Sequence, residues 1–449
     1  MPKVRFILSL LVASLCFNAR AADTNSLVWH KTAGRVDADI RGEPLWPLLE
    51  TIARETGWRI YVEPGTTRNA SAKFKDLPSG DALRMLLGDL NFALVPRTNA
   101  ASQLYVFRTA RQNATRLVHA ANTPAKHVPN ELLLKLKPGA NIDNLAKLLG
   151  AKVVGRMDKL GIYRLQFDDA AAAAAALGKL QNNSDVAEVD YNYYFDPPPS
   201  AQALANAPVP PLSLQLNPPG DSGRLIVGLL DTAVQPLDGS LNDFLLKQLS
   251  VAGDAAANSS DVTHGTAMAY TILEAIGAAE HGGSSVQIQP VDVYGPNPMT
   301  TSWDVALGVQ AAVNNGATVV NMSLGSSGDS SILDDVIQSA EKDGIVFFAA
   351  AGNQPVSTPT YPAAAPGVFA VTAVQNGQIA PYADFGNFVS LGLPGNSVVY
   401  WGNQAYLVQG TSVSTANATG VAAGNKSASN LTWAQIESAM QQRFPVPQK

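Results

Sequence analysis

The sequence predicts an α/β protein: a buried parallel sheet with helices on both faces, preceded by two small α+β domains. Residues 224–445 carry the first part of this reading. They alternate short, continuous apolar runs with helical stretches, as a sheet covered on both sides does. Residues 26–108 and 128–195 carry the second, because each mixes period-two segments with amphipathic helical ones. The chain has 449 residues, 46% of them hydrophobic and 15% charged. That supports several buried cores and excludes a disordered chain.

Met1–Ala22 reads as a secretory signal peptide. Lys3 and Arg5 precede a short apolar stretch, Phe6–Phe17, and Ala19-Arg20-Ala21 supplies a small-x-small cleavage site. The apolar stretch is too short to span a bilayer, which needs about 20 residues. The expectation is export, to the periplasm, the outer membrane or the medium. The only cysteine, Cys16, lies inside this segment, so the mature chain has no disulfide.

In 26–108, Val36–Ile40 alternates with period two. Leu45, Leu48, Leu49, Ile52 and Ala53 follow at helical spacing, and Gly57 ends that helix. Trp58–Val62 is a strand, Ser79-Gly80-Asp81 opens a second helix, and Phe92–Val95 and Leu104–Phe107 are further strands. With Ala72–Leu77, these segments resemble the short N-terminal domain of secretins and TonB-dependent receptors. The resemblance implies a contact module for an envelope protein.

Residues 109–127 are polar and read as a linker. In 128–195 the order is βαββαβ: Leu132–Leu136, Ile142–Leu149, Ala151–Val154, Ile162–Phe167, Ala170–Leu180 and Val186–Tyr191. That order is ferredoxin-like. Residues 196–222 run from Pro197-Pro198-Pro199 through Pro218-Pro219 and read as an exposed, semi-rigid linker, where an activating cut would fall.

In 223–447 the predicted strands are Leu225–Leu230, Ser285–Val291, Thr318–Ser323, Ile345–Ala350 and Phe369–Ala373, with helices such as Ser302–Asn314 and Ser330–Lys342 between them. Four short segments punctuate this pattern: Leu230-Asp231-Thr232, His264-Gly265-Thr266, Ala351-Gly352-Asn353 and Gly410-Thr411-Ser412. They supply a carboxylate, an imidazole, an amide and a hydroxyl, the groups that acyl transfer needs. Taken singly, each has an ordinary reading: a turn aspartate, a structural histidine, a turn asparagine, a helix-capping serine. Taken together, in this order on alternating strands and helices, they point to nucleophilic catalysis. His281, the other histidine of this region, stands beside Gly282-Gly283 and reads as a surface turn.

On these motifs, residues 223–447 resemble the catalytic domain of subtilisin-like serine proteases, whose residues come in the order Asp, His, Ser. The resemblance implies a subtilisin-like fold and an exported endopeptidase working through an acyl-enzyme. Asp231 would orient His264, His264 would act as base, Ser412 would attack, and Asn353 would bind the oxyanion. Asn321-Met322-Ser323-Leu324-Gly325 resembles the family's substrate-pairing strand, which implies that Ser323, Leu324, Gly325 and Gly352 contact substrate. Tyr361-Pro362-Ala363 and Leu393-Pro394-Gly395 match turns of the family. Residues 128–195 are similar to its inhibitor-type propeptides through Leu132–Gly139 and Val186–Asn192. That implies a zymogen whose own propeptide is a partner, its tail lying in the cleft until cut. The chain departs from the family pattern at Ala233, Ala267 and Val413-Ser414-Thr415-Ala416. These departures leave a second reading open: an envelope-associated scaffold with a weakly active or self-cleaving protease domain.

The chemistry requires no cofactor or metal. The family admits structural calcium, but no acidic cluster here has calcium-loop spacing. Residues 219–449 hold 6 Lys and Arg against 17 Asp and Glu, whereas 23–218 hold 22 against 19. An acidic site-bearing region excludes a nucleic-acid footprint; the asymmetry reads either as ordinary solvated surface or as the front part docking on it by complementary charge. The resemblance to subtilisin-like proteases implies polypeptide substrates.

Overall fold

The computed structural model describes residues 25–30, 34–63, 66, 68–96, 102–114, 116–118, 126–205, 212–218, 224–254, 261–280, 282–429 and 431–447. The expected signal peptide, His281 and parts of both expected linkers lie outside these residues.

The chain divides into two compact units. The first comprises residues 1–45 and 68–89. Its strands Ser26–His30, Arg35–Pro44 and Asn69–Pro78 form an antiparallel sheet. Helix Ser79–Leu87 belongs to the same unit and buries Ala82, Leu83, Leu86 and Leu87.

The second unit comprises residues 46–67 and 90–449. Its first sheet has the order Asn91–Val95, Gln103–Phe107, Arg59–Val62, Arg116–Val118. Two expectations change here. The stretch read as one unit over 26–108 resolves into two sheets. The stretch read as a linker after 108 is partly structured: Arg111–Asn113 is a 3₁₀ turn and Arg116–Val118 completes the sheet. A polar sequence hides an edge strand because one side of it needs no apolar residues.

Residues 127–195 fold as βαββαβ. The sheet runs Lys152–Met157, Ile162–Gln166, His127–Leu136, Val186–Phe195, all antiparallel. Asn141 and Asp169 cap the two helices by accepting from Asn144 N–H and Ala172 N–H. The alanine-rich helix Ala170–Leu180 buries Ala173, Ala176 and Leu180, so it is a packed element and not low complexity.

The large sheet has the order Leu249–Ser250, Gln287–Asp292, Ile226–Asp231, Val319–Met322, Val346–Ala350, Val368–Gln375. Each of these neighbours runs parallel. Leu391–Pro394 pairs in parallel with Val368–Gln375, and Gln378–Ile379 turns back antiparallel. Helices His264–Glu280, Thr411–Ser427 and Trp433–Arg443 bury one face with Met268, Ile272, Ala416 and Ile436. Helices Ser302–Asn314 and Ser331–Lys342 bury the other with Val305, Val309, Ile332 and Ile337. Ile226–Asp231 lies at the point where the strand order reverses. In open α/β sheets the ligand crevice forms there, beyond the carboxyl ends of the strands.

The segment after 195 is not the exposed spacer its prolines suggest. Gln202–Leu204 pairs with Gln404–Gln409, and Gln215–Leu216 pairs with Gly283–Ser284. Leu214 is fully buried among Val227, Leu241 and Ile276. Its short non-proline stretches retain backbone donors, and sheet edges capture them.

Candidate active site

Asp231 ends the central strand and is 1% exposed. Its carboxylate accepts from Thr232 N–H at 2.7 Å and lies 2.8 and 3.0 Å from His264 Nδ1. A carboxylate only accepts, so Nδ1 carries the proton and Nε2 of the neutral imidazole holds the lone pair. Nε2 is buried and makes no hydrogen bond among the described residues. His264 opens helix His264–Glu280. The glycine after it is required by contact: Gly265 N–H donates to Thr232 Oγ1 at 2.9 Å, and a Cβ there would collide with the Thr232 carbonyl oxygen.

Ser412 stands in the first turn of helix Thr411–Ser427 and is 3% exposed. Its N–H is among the first-turn donors that a helix cannot satisfy internally. Its hydroxyl donates to the Ser323 carbonyl at 3.2 Å, while Ser323 Oγ donates to the Ser412 carbonyl at 3.0 Å. Asn321 Nδ2 steadies Ser323 Oγ at 2.9 Å, and Thr419 Oγ1 donates to Asn321 Oδ1 at 2.9 Å. Asn321 is therefore a site residue that the motif reading passed over. A polar residue inside an otherwise apolar buried strand was the available signal.

Asn353 Oδ1 accepts from Thr411 N–H at 2.8 Å and Thr411 Oγ1 at 3.1 Å. That fixes the amide oxygen, and Asn353 and Ser412 line the same cleft. Ser323, Leu324, Gly325 and Gly352 line the same cleft, whose volume is 810 Å³.

The sequence-derived residues thus form two clusters, Asp231 with His264 and Ser412 with Asn353, Ser323 and Gly352. Among the described residues no hydrogen bond joins the clusters, and the Ser412 proton rests on the Ser323 carbonyl. They share one end of the sheet: Leu230 pairs with Met322, so Asp231 and Ser323 leave adjacent strands side by side. The helices that begin at His264 and Thr411 also pack closely, with Gly420 against the Ile272 carbonyl.

Asp292 was not anticipated. It pairs in register with Asp231, is fully buried, and accepts from Tyr294 and Gly295 N–H at 3.0 and 2.8 Å. Burial, with a smaller contribution from the Asp231 charge, pushes its carboxyl above the ordinary range. Among the described residues no group of His, Cys, Asp or Glu could hold a metal ion.

The 127–195 domain reaches this cleft. Tyr194 and Phe195 pair with Thr301 and Thr300, Ser326 Oγ donates to the Tyr194 carbonyl at 2.8 Å, and Tyr294 Oη donates to the Asp196 carbonyl at 3.3 Å. Tyr194, Asp196 and Pro197–Pro199 then line the cleft beside Ser412.

A second element packs against Phe385 and Ser357, next in sequence to the cleft residues Asp384, Val356 and Thr358. Helix Leu45–Thr56 sets Trp46 edge-on to Phe385, with ring centres 5.8 Å apart, and Glu50 accepts from the Ser357 N–H. Glu50 is 3% exposed. Burial first, and the Asp384 charge after it, raise its carboxyl to about 7 from 4.5. A raised carboxyl stabilises the fold below the unfolded value and loses that contribution as pH climbs from about 4.5 through about 7. A shift of this size corresponds to about 3 kcal/mol. In a Ser412→Ala background, unfolding free energy should therefore fall by up to that amount between pH 5 and pH 8. Glu50→Gln should flatten the slope in urea titrations.

Comparison with known proteins agrees with this geometry. Residues 222–444 match the Subtilase family, and residues 113–192 match the Fervidolysin N-terminal prodomain. A thermostable alkaline protease of Halalkalibacterium halodurans is 37% identical over 194 residues, 40% of this chain and 53% of that protein. A thermophilic serine proteinase of a Bacillus species is 27% identical over 337 residues, 68% of this chain and 80% of that protein. The chain spans about half the length of the first alkaline proteases it matches. Among solved structures, fervidolysin from Fervidobacterium pennivorans superposes with a TM-score of 0.55 at 20% identity, covering 71% of this chain and 57% of its own, which shows the shared fold. Through residues 222–444, with a fervidolysin-type prodomain ahead of them, the chain belongs to the subtilase family.

Proposed function

We propose that this chain is an exported serine endopeptidase made as a zymogen, with Asp231, His264 and Ser412 as its catalytic residues. The observation that carries the proposal is the Asp231–His264 pair. It leaves a buried, unpartnered Nε2 at the sheet end where Ser412 and the oriented Asn353 amide line the cleft. In the reaction His264 Nε2 takes the Ser412 proton as Oγ attacks the scissile carbonyl. Asn353 Nδ2 and the Ser412 N–H donate to the oxyanion, and removing one such donor costs about 10²–10³ in turnover. His264 then passes the proton to the leaving amine. Water, activated by the same base, hydrolyses the acyl-enzyme. Ser323, Leu324, Gly325 and Gly352 hold the substrate.

The 127–195 domain restrains the enzyme. Its tail, Tyr194–Pro199, lies where a polypeptide substrate would. Three consecutive prolines offer no N–H groups for a strand-pairing cleft, so the tail occupies without pairing as a substrate does. Residues 26–108 serve as the contact module for an envelope protein, a reading supported by the sequence resemblance alone.

Ser412→Ala tests the assignment. Wild-type protein should label with a fluorophosphonate and cleave casein. The variant should not label, and its turnover should fall by about 10⁶-fold, the loss found in subtilisin for the same deletion. Undiminished casein cleavage by the variant would sink the proposal.

A further inference from the structure

The tail that lines the cleft is fastened at both ends. Upstream, Tyr194 and Phe195 pair with Thr301 and Thr300, and Ser326 Oγ donates to the Tyr194 carbonyl at 2.8 Å. Ser326 lies three residues past Ser323, whose carbonyl holds the Ser412 hydroxyl. Downstream, Gln202, Ala203 and Leu204 pair antiparallel with Leu407, Tyr406 and Ala405, and Gln404 Nε2 donates to the Leu204 carbonyl at 2.6 Å. That partner strand ends at Gln409, three residues before Ser412. Between the two anchors, Asp196 and Pro197–Pro199 line the same cleft as Ser412 and Asn353.

The residues of this stretch oppose its hydrolysis. Five peptide bonds join Asp196 to Ala201. In three of them, Asp196–Pro197, Pro197–Pro198 and Pro198–Pro199, the leaving nitrogen belongs to a proline ring. That ring carries a carbon where other residues carry the amide hydrogen, and it crowds the residue before it. In Pro199–Ser200 a proline stands before the bond. It has no N–H to give to a cleft that holds substrate as an added strand. Only Ser200–Ala201 is chemically ordinary, and Ala201 packs against the catalytic core one residue before the paired strand. Moving that bond to the place the prolines occupy would drag Gln202–Leu204 off their partners.

Given the protease reading above, we propose that Pro197–Pro199 make the tail a plug that this enzyme does not cut. The prodomain then stays covalently attached across its own active site. Release requires a cut outside residues 196–201, made by a second protease molecule.

The experiment follows N-termini and intact mass of the full-length chain over time, at several protein concentrations. It compares the parent with a variant carrying Pro197→Ala, Pro198→Ala and Pro199→Ala, and with that variant carrying Ser412→Ala as well. Fluorophosphonate labelling reports a competent site. Trace trypsin supplies the second protease, since no Lys or Arg lies between Lys179 and Arg224 and the tail itself is spared. The parent should show no N-terminus from 197 to 201, and trypsin should raise its casein hydrolysis. The triple variant should gain an N-terminus in that window at a rate independent of concentration, and Ser412→Ala should abolish it. A parent cut in that window overturns the plug, as does a labelled triple variant that stays whole or is cut only in proportion to its concentration. Casein turnover by an uncut parent that trypsin does not raise overturns it too. These results leave the protease assignment standing. Absence of labelling and of hydrolysis in every Ser412-containing sample, before and after trypsin, overturns the protease assignment and this inference with it.

Discussion

His264→Ala should lower turnover by about 10⁶-fold, and Asp231→Asn by about 10⁴-fold, with little change in unfolding free energy attributable to the hydroxyl or amide partners. Both magnitudes come from triad proteases studied directly. What this structure adds is the reason they should differ. Removing the imidazole removes the group proposed to take the Ser412 proton. Removing the Asp231 charge keeps the ring but changes what its Nδ1 meets. The asparagine amide can present NH₂ to Nδ1, which then becomes the acceptor and moves the ring proton to Nε2. The base is then the wrong tautomer for attack. Both Asp231 oxygens lie within hydrogen-bond distance of Nδ1, at 2.8 and 3.0 Å, so the carboxylate holds that proton in the parent enzyme. Single-turnover kinetics on a nitroanilide substrate, read as a function of pH, check the prediction. An Asp231→Asn enzyme with wild-type turnover at neutral pH would mean that this carboxylate does not set the tautomer.

Asn192→Ala should loosen the prodomain by about 2–4 kcal/mol, one of the largest effects available outside the catalytic groups. Asn192 is fully buried and bonds in two directions. Its Nδ2 donates to Glu131 Oε2 at 2.8 Å inside the prodomain, and its Oδ1 accepts from the Trp303 N–H at 3.0 Å on the catalytic domain. Glu131 is 2% exposed and is held by Arg164 at 2.7 and 2.8 Å. Deleting the amide leaves a first-turn helix N–H and part of a buried carboxylate unsatisfied together. The surrounding contact is tight. Gly155 has no room for a Cβ beside the Trp303 ring, and Phe195 is buried with Val291 and Val305 of the catalytic domain. In a Ser412→Ala background, which removes self-cleavage, the variant should unfold at lower urea. With Ser412 intact, it should gain activity sooner after synthesis. A variant as stable as its parent, with an unchanged lag, would show that the relay does not hold the prodomain in place.

The large fold was legible because its strands are buried on both faces. Val227–Leu230, Val319–Val320 and Val346–Ala350 must be continuously apolar, which separates them from the amphipathic helices around them. Helix starts were also written locally, as at Thr301 and Ser330, whose side chains accept from Asp304 and Leu333 N–H. Elements that lie on edges were not. Gln202–Leu204 and Arg116–Val118 read as linker, because pairing along an edge needs backbone donors and not a pattern of side chains.

The site divides along the same line. Motif spacing singled out Asp231, His264, Asn353 and Ser412 as candidates, since each lies at or beside the end of an element and each carries a reactive group in a fixed local context. It could not say that Ser412 rests on the Ser323 carbonyl, that Asp292 lies beside Asp231, or that Thr360 donates to Asp384 where both line the cleft. Those facts join residues 24 to 89 positions apart. Chain order records which groups are present and what each does to its neighbours in sequence. Distances between groups on different strands depend on sheet register and helix packing, which are set by the whole core at once. The propeptide resemblance implied a tail in the cleft, but which residues line it had to come from the folded chain, where Tyr194 and Phe195 pair with Thr301 and Thr300 before Asp196 and Pro197–Pro199 reach the cleft.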